Sequence, residues 1–391
     1  MASVLPPAPW TKRADLARLI AALGAGNARY VGGAVRDTLL GLEVKDIDLA
    51  TPLVPDEVIA RLGAAGIRTV PTGIAHGTIT ALLKEGPVEI TTLRHDVSTD
   101  GRRATVAFAQ DWREDAARRD FTINALYADP ESYEVFDYFG GEDDLLARRV
   151  RFIGDPHQRI REDHLRILRY FRFQARFGSQ PADEESETAC AELAATLKAL
   201  SRERIGMEVL NLLDLPDPAP TVARMAELGV LTVVLPEAKV EPLARLIAEE
   251  QRQHISPDPL RRLAALLPAD VNTVDLVAVR FRLSGAQRKR LANAARRDPD
   301  VSEPARPLAY RFGIDQALDR LLLAGADASP LAEWHIPVFP LKGGEIVAKG
   351  VTIGPEVARL LRAVETRWVQ EAFPDRARVE ELLAEEVGRT G

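Results

Sequence analysis

The chain has 391 residues, 46% of them hydrophobic, which is enough for two or more domains with sizeable cores. Its formal net charge of −7 argues against indiscriminate binding to polyanions. No stretch approaches the ~20 apolar residues that a membrane span needs, and the first residues lack a long apolar secretory signal, so we expect a cytoplasmic protein. Cys190 is the one cysteine, which excludes an internal disulfide framework and a zinc site built from several thiolates.

The first predicted elements are a helix, a strand and a glycine turn. Residues 15–23 have helical spacing, and residues 28–31 form a short strand that runs into Gly32 and Gly33. A second helix follows. Backbone N–H groups at such a junction can approach a phosphate closely, and Arg36 in the first turn of the second helix can reach the same anion. An ordinary tight turn is the alternative for the two glycines alone.

Two carboxylates follow on the next predicted strand. Asp46 and Asp48 are two residues apart, so they share one face of the strand while Ile47 and Leu49 point into the core. A divalent cation would relieve the repulsion between the two acids, and oxygen ligands without nearby cysteine or histidine suit Mg²⁺. A solvated edge strand with two incidental acids is the alternative for this pattern alone.

Together these residues resemble the N-terminal signature of a known enzyme family. The motifs GGAVRDTLLG and DIDLAT are similar to those of the class II tRNA nucleotidyltransferases and bacterial poly(A) polymerases, which belong to the polymerase-beta-like nucleotidyltransferase superfamily. The resemblance implies that Asp46 and Asp48 carry catalytic Mg²⁺ ions. It also implies that Gly33 and Arg36 contact the incoming nucleotide.

The rest of the head, residues 1–145, is predicted to form a small mixed sheet with helices packed on one side. Residues 55–62 have the pattern of a helix, and residues 79–83 and 88–92 that of two strands in a hairpin. Glu89 lies on the second of these strands. Whether it faces the metal site as a third carboxylate is left open by the sequence.

Residues 94–108 are polar and contain a central Asp-Gly, which predicts a mobile loop or a loose hairpin. In the family that the sequence resembles, members that complete a tail with adenosine have such a flexible element. Members that stop after cytidines have a shortened one. Its presence here favours an enzyme that can add A.

A dense polar cluster, RRDFTINA at residues 118–125, precedes an apolar run. Arg119 can neutralise triphosphate oxygens. Asp120 and Asn124 stand about one helical turn apart, where they could bind one ribose or brace the arginine. A helix cap centred on Asp120 is the alternative. The segment is similar to the second motif of the family, in which Arg119 is expected to bind the nucleotide.

Gly140 and Gly141 lie between the head and a long helical region, and they resemble the hinge motif of the family. A double glycine offers little torsional resistance where two bodies must move, and a simple linker is the alternative. We predict an α+β protein in which the nucleotidyltransferase head is followed by all-α regions. These are a neck at residues 146–215 that recognises the base, and a body and tail at residues 216–391 that bind tRNA.

The neck contains REDHLRILRYFRFQARFG, residues 161–178. Glu162 and Asp163 favour a helix start, and Gly178 favours a stop. On such a helix Asp163 and Arg166, three residues apart, would be neighbours on the surface.

The pair Asp163 and Arg166 matches the hydrogen-bonding edges of two bases. Cytosine and adenine both offer an exocyclic amino donor beside a ring-nitrogen acceptor, so a carboxylate and a guanidinium can bind them. Uracil and guanine would leave these groups unpaired, at a cost of roughly 1–3 kcal/mol each. An i,i+3 salt bridge worth ~0.2–0.5 kcal/mol is the alternative, and the helix alone does not decide.

The resemblance favours base recognition, because EDHLRILRYFRFQARFG is similar to the base-recognition motif of the family. Arg169 and Arg172 are then expected on the nucleotide or its phosphates. Each step of three residues falls ~60° short of a full turn, so this row of arginines winds round the helix and need not touch one ligand. Residues 201–210 resemble the last motif, with Ser201 as a helix cap and Arg204 at the capping-box position. We expect this helix to brace the neck.

Residues 148–176 and 280–297 are two basic stretches that could bind RNA, with solvated helix faces as the alternative. The predicted function is template-independent addition of CCA to tRNA from CTP and ATP, by two-metal nucleotidyl transfer with Mg²⁺. No protein partner or membrane is implied. The alternatives are a poly(A) polymerase, an enzyme that adds only CC or only A, and a catalytically silent RNA-binding module.

Overall fold

The computed structural model describes residues 3–100, 103–297, 304–351 and 354–389, with the backbone only for residues 95–100 and 103–107. The chain divides into two compact units, Met1–Pro236 and Glu237–Gly391. The described strands all lie in the first unit, and the described elements after residue 137 are helices. The predicted α+β class is therefore confirmed.

Seven strands of the first unit form one mixed sheet in the order β3-β4-β5-β2-β1-β8-β9, and β6 and β7 form a separate antiparallel hairpin. Within the large sheet β2 and β5 pair in parallel, and the other neighbours are antiparallel. The strands are β1 Arg29–Val31, β2 Ile47–Thr51, β3 Thr69–Gly73, β4 Thr78–Leu83, β5 Gly86–Thr92, β6 Arg94–Asp100, β7 Arg103–Phe108, β8 Leu126–Ala128 and β9 Val135–Asp137.

The α-helices of the first unit are α1 Ala14–Leu23, α2 Gly33–Leu39, α3 Pro55–Ala64, α4 Trp112–Ala117, α5 Gly141–Leu146, α6 Pro156–Glu162, α7 Arg166–Phe177, α8 Glu184–Glu192, α9 Arg202–Leu213, α10 Ala219–Glu227 and α11 Val230–Val234. Those of the second unit are α12 Glu241–Arg252, α13 Pro259–Leu266, α14 Val271–Arg280, α15 Gly285–Ala295, α16 Ala305–Phe312, α17 Ile314–Leu323, α18 Gly343–Ala348, α19 Pro355–Gln370 and α20 Arg376–Gly388. Short 3-10 helices lie at Pro9–Lys12, Ile74–His76, Thr122–Asn124, Ala194–Ala199 and Ser329–Leu331. Within the described ranges, none of the helices has both the length and the apolar character needed to cross a bilayer.

The local signals in the sequence place most elements of the head correctly. α1 ends at Gly24, which has a φ of 90° that favours glycine. The helix predicted at residues 55–62 is α3, and the two predicted hairpin strands are β4 and β5. Within residues 94–108, Arg94–Asp100 and Arg103–Phe108 pair as the antiparallel strands β6 and β7, which is the hairpin form of the prediction, and residues 101 and 102 lie outside the described residues.

An aromatic cluster fixes the neck helices against the head. The Phe121 ring lies 5.0 Å from the Phe152 ring and 5.0 Å from the Phe173 ring, measured between centroids. Tyr170 stacks on Phe152 at 5.8 Å. Because Phe121 follows α4 whereas Phe173 lies on α7, this cluster holds the polar side chains of the two segments at one place.

The neck segment is not the single helix that the sequence predicts from residue 162 onward. α6 ends at Glu162, Asp163 is extended with φ −150° and ψ 105°, and α7 begins at Arg166. The Asp163 carboxylate accepts the N–H of Leu165 at 3.1 Å, and its carbonyl accepts the N–H of Arg166 at 3.0 Å. A short aspartate side chain that bonds the local backbone in this way competes with helix formation. The predicted stop at Gly178 is correct.

The second unit contains a buried ionic cluster, which consists of Glu250, Arg261, Arg262, Arg290 and Asp319. Glu250 accepts hydrogen bonds from Arg261 at 2.7 Å and from Arg262 at 2.8 Å. Asp319 accepts from Arg261 at 3.1 Å and from Arg290 at 2.6 Å. Arg261 is only 4% exposed and Asp319 only 1%. These charges therefore satisfy one another inside the helical unit.

The basic stretch at residues 280–297 is largely engaged within the same unit. Arg280 pairs with Glu237 at 2.7 Å, and Arg288 pairs with Asp275. Arg290 belongs to the buried ionic cluster. Neighbouring carboxylates thus balance part of the positive charge of the stretch, and its binding of RNA stays a prediction.

Candidate functional site

One cavity of about 410 Å³ in the first unit collects most of the polar residues that the sequence singles out. Its walls carry five arginines and three aspartates, together with two glycines, an asparagine and a phenylalanine. The lining residues are Gly32, Gly33, Arg36, Asp48, Arg118, Arg119, Asp120, Asn124, Asp163, Arg166, Arg169 and Phe173. Of the predicted site residues, only Asp46 and Arg172 are not in this lining.

The glycine turn forms one edge of the cavity. Gly32 has a φ of 65°, which L side chains rarely adopt, and a Cβ there would lie 3.4 Å from a guanidinium nitrogen of Arg119. The carbonyl of Gly32 accepts the N–H of Arg36 at 3.0 Å and so opens α2. A glycine here lets the backbone and the arginine share one narrow space.

Arg36 lies beneath the glycine turn and is only 6% exposed. It donates to Asp37 at 2.7 Å and to the amide oxygen of Asn124, and its guanidinium lies 4.1 Å from the centre of the Phe177 ring. Burial lowers the pKa of Arg36, an effect that Asp37 opposes. Arg36 therefore both lines the cavity and ties α2 to α7.

The acidic strand lies beside the glycine turn, because β2 pairs antiparallel with β1 and Tyr30 stands opposite Leu49. Asp48 is half-buried on β2 and lies directly beside Glu89 in the parallel register with β5. Asp46 is exposed and immediately precedes β2, whose pairing with β5 starts at Ile47. The residue before that point on β5 is Pro87, which has no N–H to donate to the ladder. The observed strand β2 therefore starts one residue later than the sequence predicts.

Asp48 has an unusual charge environment. Burial is the main reason that its pKa is raised to about 6, and the negative charges of Glu89 and Asp46 raise it further, whereas Arg119 opposes them. The repulsion that the sequence implies between these acids is thus present. A divalent cation would relieve it.

The donor set suits a cation that shares its ligands with a substrate. Within the described residues, no three carboxylate, histidine or cysteine side chains converge to form a complete metal cage. Mg²⁺ is commonly bound by one or two carboxylates plus substrate phosphates. Asp46 and Asp48 fit that mode of binding, and whether Glu89 joins them stays open.

Arg118 and Arg119 share one buried carboxylate that the sequence analysis did not single out. Asp115 accepts from Arg118 at 2.8 Å and from Arg119 at 3.3 Å, and it also accepts the hydroxyl of Tyr127 at 2.6 Å. The hydroxyl of Tyr127 in turn accepts from Arg119 at 3.1 Å. The spacing of an aspartate three and four residues before two arginines could have revealed this contact from the sequence.

Asp120 braces a different arginine from the one that the sequence suggested. It accepts from Arg169 of α7 at 2.9 Å and from the side chain of Asn124 at 3.0 Å. Burial alone raises the pKa of Asp120, but Arg169 and Asn124 lower it to about 2. The carboxylate is therefore ionised, and it connects the RRDFTINA segment to the neck helix.

Asp163 and Arg166 both line the cavity, but they do not form the i,i+3 salt bridge considered above. Arg166 pairs with Glu162 at 2.6 Å, and Asp163 pairs with Arg204 of α9 at 2.8 Å. Each carboxylate oxygen of Asp163 has one protein partner, so each retains a lone pair for a ligand.

Arg172 is not in the cavity lining and pairs with Glu208 of α9 at 2.7 Å. Its place outside the lining agrees with the ~60° drift expected for each step of three residues along a helix. Arg204 and Glu208 both lie on α9, so this helix braces the neck as predicted. The cap of α9 is also as predicted, since the Ser201 hydroxyl accepts the N–H of Arg204 at 3.3 Å.

Two family descriptions match separate parts of the first unit and its border. Residues 28–151 match the family described as Poly A polymerase head domain. Residues 182–241 match the family described as Probable RNA and SrmB- binding site of polymerase A. The first match covers the glycine turn, the acidic strand and both cavity-lining arginines that Asp115 holds.

Known proteins resemble the chain over most of its length. CCA tRNA nucleotidyltransferase 1, mitochondrial, of Mus musculus is 37% identical over 383 residues, which are 91% of this chain and 85% of the mouse protein. The protein of the same name from Homo sapiens is 37% identical over 369 residues, 88% of this chain and 83% of that protein. Since these relatives are named mitochondrial, a cytoplasmic location stays a prediction for this chain.

A solved structure has a similar fold. The crystal structure of Bacillus stearothermophilus CCA-adding enzyme in complex with CTP matches with a TM-score of 0.73 and 25% sequence identity. The match covers 96% of this chain and 98% of that chain. Both units of the present chain therefore have counterparts in one known architecture.

Proposed function

Because the chain belongs to the family of CCA tRNA nucleotidyltransferases, we propose that it adds two cytidines and one adenosine to the 3′ end of tRNA, with CTP and ATP as substrates and no nucleic-acid template. The observation that carries this proposal is the cavity of the first unit. It combines a carboxylate suited to a metal, arginines suited to a triphosphate, and an Asp–Arg pair suited to a base.

The triphosphate would lie between the glycine turn and the arginine pair. Arg118 and Arg119 share the single negative charge of Asp115, so the three groups together keep a net positive charge towards the cavity. Charge-assisted hydrogen bonds from arginine to phosphate are among the strong ones in proteins. Gly33 allows the backbone to approach the same phosphates.

The base would be recognised at the other end of the cavity. Asp163 would accept the exocyclic amino group of cytosine or adenine, and Arg166 would donate to the ring nitrogen beside it. Arg204 and Glu162 hold these two side chains from behind, so both are oriented before a nucleotide arrives. Arg169, fixed by Asp120, lies between the base end and the triphosphate end of the lining and completes the wall.

Enzymes of this family use divalent metal ions. We propose Mg²⁺ as the ion here, with Asp46 and Asp48 as its protein ligands and Glu89 as a further candidate. Mg²⁺ bound in such a site lowers the pKa of the RNA 3′-hydroxyl and neutralises charge on the leaving pyrophosphate. Addition should therefore stop when EDTA removes divalent ions and resume when Mg²⁺ is restored.

The test is extension of a tRNA that lacks its 3′ CCA, resolved to single nucleotides, with CTP alone, ATP alone or both. Two cytidines with CTP, and a stop after one further adenosine with both, are expected. A long ladder with ATP alone would identify a poly(A) polymerase instead. Addition of only CC or only A would identify a partial enzyme, and no extension in any reaction would favour a silent RNA-binding module.

A further inference from the structure

Asp115 is a buried carboxylate that touches the cavity only through other residues. It lies on α4, is 1% exposed and does not belong to the cavity lining. Besides Arg118, Arg119 and Tyr127, it accepts the backbone N–H of Arg94 at 3.2 Å, where the β6–β7 hairpin begins. An acid with four such donors is held firmly, and it holds its partners in turn.

The two arginines that it binds are the pair in the lining that share one carboxylate. Arg166 and Arg169 pair with separate carboxylates, Glu162 and Asp120 respectively, and the second partner of Glu162, Arg159, lies outside the lining. Arg118 and Arg119 instead divide Asp115 between them, so this part of the wall has surplus positive charge. An arginine side chain loses rotamer entropy when it is fixed, and prior fixation removes that cost from ligand binding.

The backbone of the two arginines is held by a separate contact. The guanidinium of Arg159, which is buried on α6, donates to the carbonyls of both Arg118 and Arg119. Loss of Asp115 would therefore loosen both guanidinium groups and leave Arg119 its contact with the Tyr127 hydroxyl, while Arg159 still holds the chain that carries them. Asp115 therefore orients the side chains, whereas Arg159 holds the backbone of the segment.

We propose that Asp115 is a positioning residue that aims Arg118 and Arg119 at the triphosphate of the incoming nucleotide, and that Tyr127 acts with it by fixing Arg119. The inference rests on the proposed nucleotidyl transfer. It assigns Asp115 to the part of the substrate that CTP and ATP share, and it assigns it no role in the choice of base.

The test measures binding of inorganic tripolyphosphate by calorimetry to the full chain and to Asp115→Asn, with Mg²⁺ present. Asparagine keeps the shape but loses the charge, and the affinity should fall at least about tenfold, which corresponds to ~1.4 kcal/mol. In extension assays the KM of CTP and of ATP should rise by the same factor. The KM of tRNA and the rejection of UTP and GTP should not change, as they would if the head were generally loosened.

Asp144→Asn is the matched control. Asp144 is fully buried on α5 and, like Asp115, accepts from two arginines and a hydroxyl, at 2.6 Å from Arg149, 2.8 Å from Arg151 and 2.6 Å from Thr122. None of these four residues belongs to the described cavity lining. The control should lose thermal stability like Asp115→Asn and yet bind tripolyphosphate as the unchanged protein does.

Tyr127→Phe provides a second variant should Asp115→Asn fail to fold. It removes one hydroxyl and keeps the buried ring, and the affinity for tripolyphosphate should fall severalfold. Equal losses of tripolyphosphate affinity in the Asp115→Asn and Asp144→Asn variants would overturn the positioning role. Unchanged affinity in Asp115→Asn would also overturn it. If Asp115→Asn does not fold, unchanged affinity in Tyr127→Phe has the same meaning. If the unchanged protein does not bind tripolyphosphate, the triphosphate site itself is wrong, and the proposed function fails with it.

Discussion

Arginines and carboxylates form networks in both units, but the two networks direct their charge differently. Around the cavity, each arginine is held by a carboxylate on one side and faces open space on the other. In the buried ionic cluster, Arg261 and Arg262 are enclosed on all sides by protein. The first network presents donors to a ligand, whereas the second directs its donors to groups inside the protein.

The difference teaches that the role of a basic stretch depends on the partners that its side chains have in the fold. Arginine has five N–H donors, so one carboxylate partner leaves several free for a phosphate or a base if the side chain also reaches an opening. Full enclosure by protein removes that possibility, and the same residue then affects the stability of the fold instead of ligand binding. The two networks should therefore respond to mutation in opposite ways.

The largest expected effect is loss of catalysis from the cavity. Asp48→Ala should lower kcat/KM for CTP addition at least about 10³-fold, or ~4 kcal/mol, because it removes a proposed metal ligand. The free energy of unfolding should not fall, since burial and then the charges of Glu89 and Asp46 disfavour the ionised form of Asp48 and raise its pKa. Single-turnover extension and urea unfolding measure the two quantities. Retained activity would exclude Asp48 as a metal ligand.

The next effect is loss of stability from the buried ionic cluster. Asp319→Ala leaves Arg261 and Arg290 without one of their carboxylates, and removing one partner of a buried pair costs about 3–5 kcal/mol. Denaturant unfolding should show this loss. Calorimetry at a temperature where the protein is folded should show unchanged affinity for CTP. A reduced affinity would contradict the separation of the two networks.

A smaller effect is expected on the choice of base in the cavity, and it should exceed the effect on the rate of nucleotide addition. Asp163→Ala removes the acceptor for the exocyclic amino group, which is worth roughly 1–3 kcal/mol of discrimination. Competition between CTP and UTP during extension should show misincorporation rising about tenfold or more. CTP addition should slow by a smaller factor. Unchanged rejection of UTP would refute recognition of the base by Asp163.

The smallest effect is expected at an exposed ion pair of the second unit. Asp275 pairs with Arg288 at the surface, unlike Asp319 in the cluster. Asp275→Ala should change the free energy of unfolding by less than about 1 kcal/mol, since solvent screens such pairs. Denaturant unfolding beside Asp319→Ala gives the comparison. A loss as large as that of Asp319→Ala would show that burial is not what separates these pairs.

Local patterns in the sequence predict the head well. The strand, glycine turn and helix around Gly32 and the alternation at Asp48 depend on neighbouring residues alone, and they appear within one residue of the predicted positions. The clustering of seven predicted residues in one cavity also follows, because the motifs resemble those of a family with one site. Their individual roles stay predictions.

Long-range partners are the part that the sequence does not specify. Asp163 forms its ion pair with Arg204, 41 residues away, and this choice depends on the packing of α9 against α7. The break of the neck helix has a local cause instead, since the Asp163 carboxylate bonds the N–H of Leu165, and the break leaves Asp163 in the cavity lining. Asp115 differs, because its partners lie three and four residues along the chain and a stricter search of helical spacing would have found them.

The aromatic cluster also determines where the protein can be truncated. Phe121 packs on Phe152 and Phe173, and Arg36 lies against Phe177, so the head completes its own interior with side chains of the neck. A polypeptide of residues 1–145 would expose these apolar faces to water, and we expect it to aggregate. Residues 1–236 form one compact unit and keep the faces covered. This longer piece is therefore the one to express for work on the catalytic half of the protein.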